Sequence, residues 1–497
     1  MINFPNIPSN LRVPLFYADF DNSLANSGQR TQRTLIIGQK RSAGTAVAGT
    51  PIISAGVSEA KALGGAGSML ALMVDAYRRS DPFGELWLLP LSDDGSATAA
   101  TGSVNFTAAA TAAGTFYLYI AGQRIAMACT GSQTAAQLAT ALAAAITAQT
   151  DLPVTAAVDG VTTSKVNLTA KNPGADSGDI DVRANYRGNR DGEALPTGMT
   201  ITITAMSGGA TNPSLTTPFT NLADKQFDVI VFPYTDSTSL NAFKTFMSTA
   251  TGRWSYAKQI YGHGFGAYRG TLSGQSSFGA GRNDEHMSIL GVYDTPTPTF
   301  VVAADMAGVC AASLRADPAR PVQTLALTTM LPPPIASRLD MPSRNTLLWS
   351  GISTFSVSDD GTCRLENVIT TYQTNGNSQP DDSYLEMETM FQLAYSMQSL
   401  RAMITSRFAR VKLAADSGQP PLPGSNIVTP KTIRGAVVAH YRELELQGIV
   451  QNTPAFRAGL VVEIDAQNPR RVNVLWDGIL TNGLRVLAVL NQFRLTA

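Results

Sequence analysis

The five residues Gly64-Gly65-Ala66-Gly67-Ser68 come nearest to a phosphate-binding loop anywhere in this chain. Such a loop uses glycines to bring backbone N–H groups onto the anion, and a lysine followed by serine or threonine for charge and magnesium. The lysine is missing, and a glycine-rich helix entry packed closely on a neighbour explains the same residues. Tyr261-Gly262-His263-Gly264-Phe265-Gly266 invites a dinucleotide reading, since its second and third glycines could approach a pyrophosphate. The spacing is wrong and no ribose-binding acid follows, so a turn at a strand end is expected. His263, His286 and His440 lie far apart without metal-type spacing, and no Gly-x-Ser-x-Gly elbow occurs. Cys129, Cys310 and Cys363 are equally scattered, which suits buried thiols in a reducing compartment. Asp381 and Asp382 are adjacent, and adjacent side chains rarely face one site; helix capping explains them. Arg407, Arg410 and Lys412 could bind an anion or simply end a helix in solvent. No catalytic constellation assembles, so no enzyme, cofactor or metal site is expected.

Composition points the same way. At 497 residues the chain is too long for one core and suggests about three domains. Lys and Arg total 37 and Asp and Glu 37, so nothing global points to nucleic acid or an anionic membrane. Only 15 % of residues are charged, which suits a subunit covered largely by neighbours and, nearly as well, a neutral globular enzyme. Met1-Ile2-Asn3-Phe4-Pro5 carries no basic segment followed by an apolar one, so no signal peptide is expected. No apolar run approaches the ~20 residues that span a bilayer, which makes a cytosolic product the expectation.

The elements around these residues follow from periodicity. Residues 1–25 place Pro5, Pro8 and Pro14 among Phe4, Ile7, Leu11, Val13 and Phe16. Proline forbids a helix there, yet the apolar content is too high for a solvated tail, so the segment wants a partner surface. Further on, strands at 34–38 and 85–91 flank a helix within 57–79. Beyond residue 218 come strands at 227–232, 257–261 and 287–293, with helices from Ser239 and over 300–316. Such alternation argues an α/β layer. Residues 92–218 interrupt it with an Ala/Thr/Gly-rich stretch bounded by Asp93-Asp94-Gly95 and Asn212-Pro213-Ser214. That stretch carries a hairpin about Ala121-Gly122, a helix over 133–149 and a second hairpin with a type I′ turn at Asp159-Gly160. Strands at 179–186 and 199–205 complete a small inserted α+β module.

The last third begins with Ser383 and Glu386, spaced as a capping box. Met387, Met390, Phe391, Ala394, Met397, Leu400, Ile404 and Phe408 then recur as one buried helical stripe, ended by Arg407, Arg410 and Lys412. Thr429-Pro430 opens another helix and Gly448 closes it. Two β-like runs follow, 460–464 and 471–476. The chain finishes on residues 484–495, apolar and β-compatible, which on a lone subunit would leave an unpaired edge.

This last third resembles the C-terminal domain of contractile-tail sheath proteins, most closely the sheath subunit of Mu-like phages. The phrases that carry it are Thr370-Thr371-Tyr372-Gln373-Thr374-Asn375, Gln379-Pro380-Asp381-Asp382-Ser383-Tyr384-Leu385, Val428-Thr429-Pro430-Lys431 and Leu490-Asn491-Gln492-Phe493-Arg494-Leu495. Asp317-Pro318-Ala319-Arg320, Arg344-Asn345-Thr346-Leu347 and Phe227-Asp228-Val229-Ile230 extend it upstream, over most of the chain. The resemblance implies a multidomain α+β and α/β protein. Its parts would be an N-terminal arm (1–25), an α/β sheath domain (26–91 with 219–361), an inserted outer domain (92–218), a C-terminal sheath domain (362–483) and a C-terminal arm (484–497). It implies stacked hexameric rings of this one chain around a tail tube protein, with baseplate and tail terminator proteins at the ends. Contraction would drive the tube through the host envelope, without nucleic-acid binding or membrane insertion. Such a particle is a virion tail assembled in the bacterial host cytoplasm. Phe4, Ile7, Leu11, Val13 and Phe16 at one end, and Leu487, Val489, Leu490, Phe493 and Leu495 at the other, would be the inter-subunit arms. Arg407, Arg410 and Lys412 would face the tube. The rivals are an α/β nucleotide-dependent enzyme using residues 64–68, or another tail or baseplate component.

Overall fold

The fold comes from a computed structural model that describes residues 32–416 and 425–495. The expected N-terminal arm, with Phe4, Ile7, Leu11, Val13 and Phe16, lies outside the described residues. β1 (Arg33–Gln39) is buried from Thr34 onward, as a strand inside a parallel sheet must be. A short strand β2 (Ile52–Ser54), helices α1 (Val57–Gly64) and α2 (Met69–Ser80), and β3 (Glu85–Leu91) follow. The helix anticipated within residues 57–79 is therefore two. Gly65 and Gly67 sit at φ +87° and +70°, which no continuous helix can include.

The next strands are β4 (Thr101–Ala108), β5 (Gly114–Ile120) and β6 (Gln123–Cys129), followed by α3 (Ala135–Ala148). After these come β7 (Val154–Val158), β8 (Lys165–Ala170), β9 (Val182–Ala184) and β10 (Thr200–Ser207). β5 and β6 form the anticipated hairpin, with Ala121 and Gly122 both at positive φ as a type I′ turn requires. The second hairpin is present as β7–β8, but its turn is longer than the two residues expected at Asp159-Gly160. Val158 pairs with Val166, and Asp159 Oδ1 accepts from the N–H groups of Val161 and Thr162 at 2.9 and 2.8 Å. The aspartate side chain thus builds its own turn in place of the backbone one. Ala100, Val104, Phe106, Leu138, Leu142 and Met206 belong to a hydrophobic core separate from that of the parallel sheet.

α4 (Thr216–Asn221) leads back to the first sheet through β11 (Val229–Val231), α5 (Ser237–Met247) and β12 (His263–Arg269). α6 (Leu272–Ala280), β13 (Met287–Val292) and α7 (Thr299–Ala316) complete it. Parallel strands run in the order β13-β12-β11-β1-β3, with β2 antiparallel at the edge, which is a doubly wound arrangement. Residues 257–261 are a turn and irregular chain and not the strand anticipated there: Ile260 N–H donates to the Arg253 carbonyl at 2.8 Å. The glycine phrase about His263 runs straight into β12, with His263, Gly264 and Gly266 inside the strand and not in a strand-end turn. A Cβ on Gly264 would come 2.6 Å from the Phe243 ring, so glycine lets α5 press directly on the strand. α7 is long and apolar enough to cross a membrane by length and composition, yet 72 % of it is buried inside the protein, so it is a core helix.

The remaining elements are α8 (Met341–Trp349), β14 (Thr354–Val357), β15 (Cys363–Asn367), α9 (Met387–Phe408), β16 (Lys412–Leu413) and β17 (Ile427–Val428). Then come α10 (Pro430–Leu446), β18 (Val450–Gln451), α11 (Thr453–Gly459), β19 (Val461–Ile464), β20 (Val472–Leu475) and β21 (Ile479–Leu480). The capping box expected at the start of α9 is absent. Ile369 bridges to Glu386, which keeps that residue extended, and Ser383 N–H donates to Asp381 Oδ1 (2.9 Å) in a separate turn. The stripe on α9 serves two cores. Met387 and Phe391 join that of the parallel sheet, while Met403, beside Leu400, Ile404 and Phe408, joins a small one under α10. Thr429 caps α10, Pro430 stands in its first turn, and Gly448 follows it at φ +76°. Cys129, Cys310 and Cys363 are buried free thiols.

Candidate assembly site

The C-terminal end is held down up to one residue and exposed beyond it. β21 pairs antiparallel with β18, Tyr441 accepts from Ile479 N–H (3.0 Å), and Gln392 donates to the Thr481 carbonyl (2.9 Å). Gln323 Nε2 donates to the Leu484 carbonyl at 3.1 Å. Arg485 Nη2 then reaches both Glu386 Oε2 and Glu388 Oε2 at 2.6 Å, so one guanidinium bridges two carboxylates at the root of α9. Glu388 is buried and also accepts from Val322 N–H (2.9 Å). Burial pushes its carboxyl above the usual range, against the pull of Arg485.

From Val486 onward the chain makes no hydrogen bond to the rest of the described residues. Val486, Leu487, Val489, Leu490, Phe493 and Leu495 are between 77 and 92 % exposed. No strand forms there, although the pattern is β-compatible, because a strand needs a ladder partner for its backbone groups. Close in sequence lies an unfinished sheet. β19 and β20 pair over four residues, from Val461↔Leu475 to Ile464↔Val472, and stop at two strands. A two-stranded hairpin is marginal unless packed or extended. One face rests on the core where Tyr441 stacks on Phe456 (ring centroids 3.7 Å apart) and Trp476 closes in at 4.7 Å. Val461, Val474 and Leu475 remain exposed. The two β runs anticipated from the pattern are these strands.

Arg407 lies in the last turn of α9, Arg410 just past it and Lys412 in β16, and all three are exposed. None forms an ion pair among the described residues. Arg485 and its two glutamates escaped detection in the sequence. A single charge inside an apolar run was the one local sign, and its partners stand about a hundred residues away.

The glycine loop that resembled a phosphate site is filled by the protein itself. A Cβ on Gly67 would lie 2.4 Å from the Leu152 carbonyl oxygen and 2.9 Å from that of Thr150. At the N-terminus of α2, Asn172 Oδ1 accepts from Met69 N–H (2.9 Å) and Ser68 Oγ from Ala71 N–H (3.1 Å). Two of the donors a phosphate would use are thus taken. Gly67→Ala is expected to lower unfolding stability by about 1 to 3 kcal/mol through this clash and the positive φ. Urea unfolding with and without ATP checks it, and ATP is expected to shift neither the parent nor the variant.

Residues 208–371 match the family described as phage tail sheath protein central domain, and residues 379–494 match the phage tail sheath C-terminal domain. The chain belongs to the phage tail sheath family: it is a structural protein of a contractile tail. Over 494 residues it is 42 % identical to the Mu-like prophage FluMu tail sheath protein of Haemophilus influenzae, covering 99 % of each chain. Among solved structures, it is similar to the sheath tail protein of Desulfitobacterium hafniense (11 % identity, 95 % and 97 % of the chains, TM-score 0.48). The sheath tail protein of Listeria innocua is similar too (12 % identity, 91 % and 92 %, TM-score 0.46).

Proposed function

We propose that the chain polymerises as stacked hexameric rings around the tail tube, bounded by baseplate and terminator proteins, and that contraction of this lattice drives the tube through the host envelope. Assembly takes place in the host cytoplasm before the tail joins the virion. The observation that carries this reading is the exposed apolar end beyond Arg485, set beside an unfinished hairpin in the same domain. Residues 484–497 of one subunit add a strand to the β19–β20 hairpin of another, and residues 1–25 serve as the second arm. The C-terminal exchange satisfies backbone groups and covers apolar side chains that the described chain leaves in water. Residues 26–91 with 219–361 act as the sheath body and residues 362–483 as the tube-side domain, while residues 92–218 decorate the outside.

Negative-stain imaging of the purified chain is expected to reveal long hollow cylinders; small single particles at every concentration would sink the proposal. Arg407→Glu with Arg410→Glu is expected to weaken attachment to the tube at low salt by at least tenfold, with the difference shrinking as ionic strength rises. Cylinders of sheath alone should survive that change. Co-sedimentation with tubes at two salt concentrations measures it.

A further inference from the structure

The inserted residues meet the body at a seam that carries negative charge without a compensating cation. β1 lies between β3 and β11, so the strand order reverses there, and the seam lies at the carboxyl ends of these strands. Gln39, at the end of β1, donates to Asp93 Oδ1 (2.8 Å) and to the Pro173 carbonyl (2.6 Å). Asn212 Nδ2 donates to two carboxylates at once, Asp176 Oδ2 at 2.7 Å and Asp236 Oδ2 at 2.8 Å. Its Oδ1 accepts from Ala175 N–H at 2.9 Å. Asp176 stands on the inserted side and Asp236 on the body, so one amide ties the two together. The Tyr234 hydroxyl is fully buried beside these carboxylates and has no hydrogen-bond partner among the described residues.

The charged neighbours are accounted for. Asp179, in the same turn as Asp176, is paired with Arg269 of β12. Arg282 is bonded to Ser237 Oγ and Asn241 Oδ1. No lysine or arginine forms an ion pair with Asp93, Asp176 or Asp236 among the described residues. Two half-buried carboxylates on one donor repel when both are ionised, and the natural relief is a proton on one of them.

We propose that this seam is a proton-operated joint. With a proton on the Asp176 carboxyl, the shared amide holds the inserted residues against the body; without it, two carboxylates oppose each other across Asn212 and the joint loosens. Burial first, then the fields of Asp179 and Asp236, push Asp176 up to about 7. Burial also works to raise Asp236, but hydrogen bonds from Ser239 and Asn212 outweigh it and bring that group below its usual value. A carboxyl raised in the folded state stabilises the joint at low pH, and the contribution is lost as pH rises from about 4 to about 7.

Hydrogen exchange at the Ala175 amide, held by Asn212 Oδ1 in the full chain, tests this, comparing the parent with Asp176→Asn at each pH from 5 to 8 so that the intrinsic pH dependence cancels. The parent-to-variant ratio of opening is expected to rise about tenfold per pH unit between pH 5 and 7 and to level off above. A ratio that stays constant over that range overturns the proposal. Asp236→Asn, which keeps a competent cap on α5, removes the facing charge and is expected to move the rise to lower pH. An unmoved rise in that variant would equally overturn it, and this comparison stands even if Asp176→Asn fails to fold.

Discussion

Chains ending at Arg485 are expected to fold like the parent and to build no cylinders. Removing residues 486–497 takes away six large apolar side chains that are 77 to 92 % exposed and belong to none of the cores, so the fold and circular dichroism are expected to stay close to the parent's. On the proposed reading, the same residues are the link in the assembled sheath. Burying each such side chain is worth roughly 2 kcal/mol, and ordering each of some ten backbone residues costs about 1 to 2 kcal/mol. The two nearly cancel, so backbone hydrogen bonds to a neighbour's hairpin tip the balance. One exchanged arm would therefore be weak, and on the proposed reading the lattice holds because every subunit gives and receives one. Electron microscopy of the truncated chain, beside a melting curve to show that it is folded, decides the matter. Cylinders of parental length would remove the exchanged strand from the mechanism.

Arg485→Ala carries the second large effect, on stability. Its guanidinium bridges Glu386 and Glu388 at 2.6 Å, and the Glu388 side chain is only 6 % exposed. Removing one partner of a buried ion pair leaves the other charge without compensation, at a cost of about 3 kcal/mol or more. Glu388→Gln in the same chain is expected to restore much of that loss, because the amide oxygen still accepts from Val322 N–H and needs no counter-ion. The loss should also shrink on acidification. Burial already raises the Glu388 carboxyl, and without Arg485 it takes up a proton more readily still. Denaturant unfolding at pH 7 and pH 5 measures both. A change below about 0.5 kcal/mol at pH 7 would show that the bridge contributes no more than a surface pair. If the proposed arm exchange holds, the bridge also marks where the arm begins, and the variant's sheath is then expected to assemble less regularly.

Much of the local structure was legible in the sequence because it depends on neighbours in the chain. The apolar runs behind β1, β3 and β13, the Ala121-Gly122 turn, the Thr429-Pro430 cap and the β19–β20 strands all follow from periodicity or turn chemistry within a dozen residues. The family was legible too, through many short phrases in one order. What failed was decided at a distance. Ser383 and Glu386 have capping-box spacing, but the bridge from Ile369 holds Glu386 extended, and a tertiary pairing overrides a local cap. Gly64 to Ser68 has the composition of an anion loop, and only the packed structure brings the Thr150 and Leu152 carbonyls onto it. Asp159-Gly160 lost its tight turn to a side chain that bonds the backbone further along. The anchor at Arg485 and the carboxylates sharing Asn212 join residues from roughly 25 to a hundred positions apart, and no local pattern encodes such a meeting. Propensity and spacing are properties of a short segment; which charges end up buried together is a property of the packed chain alone.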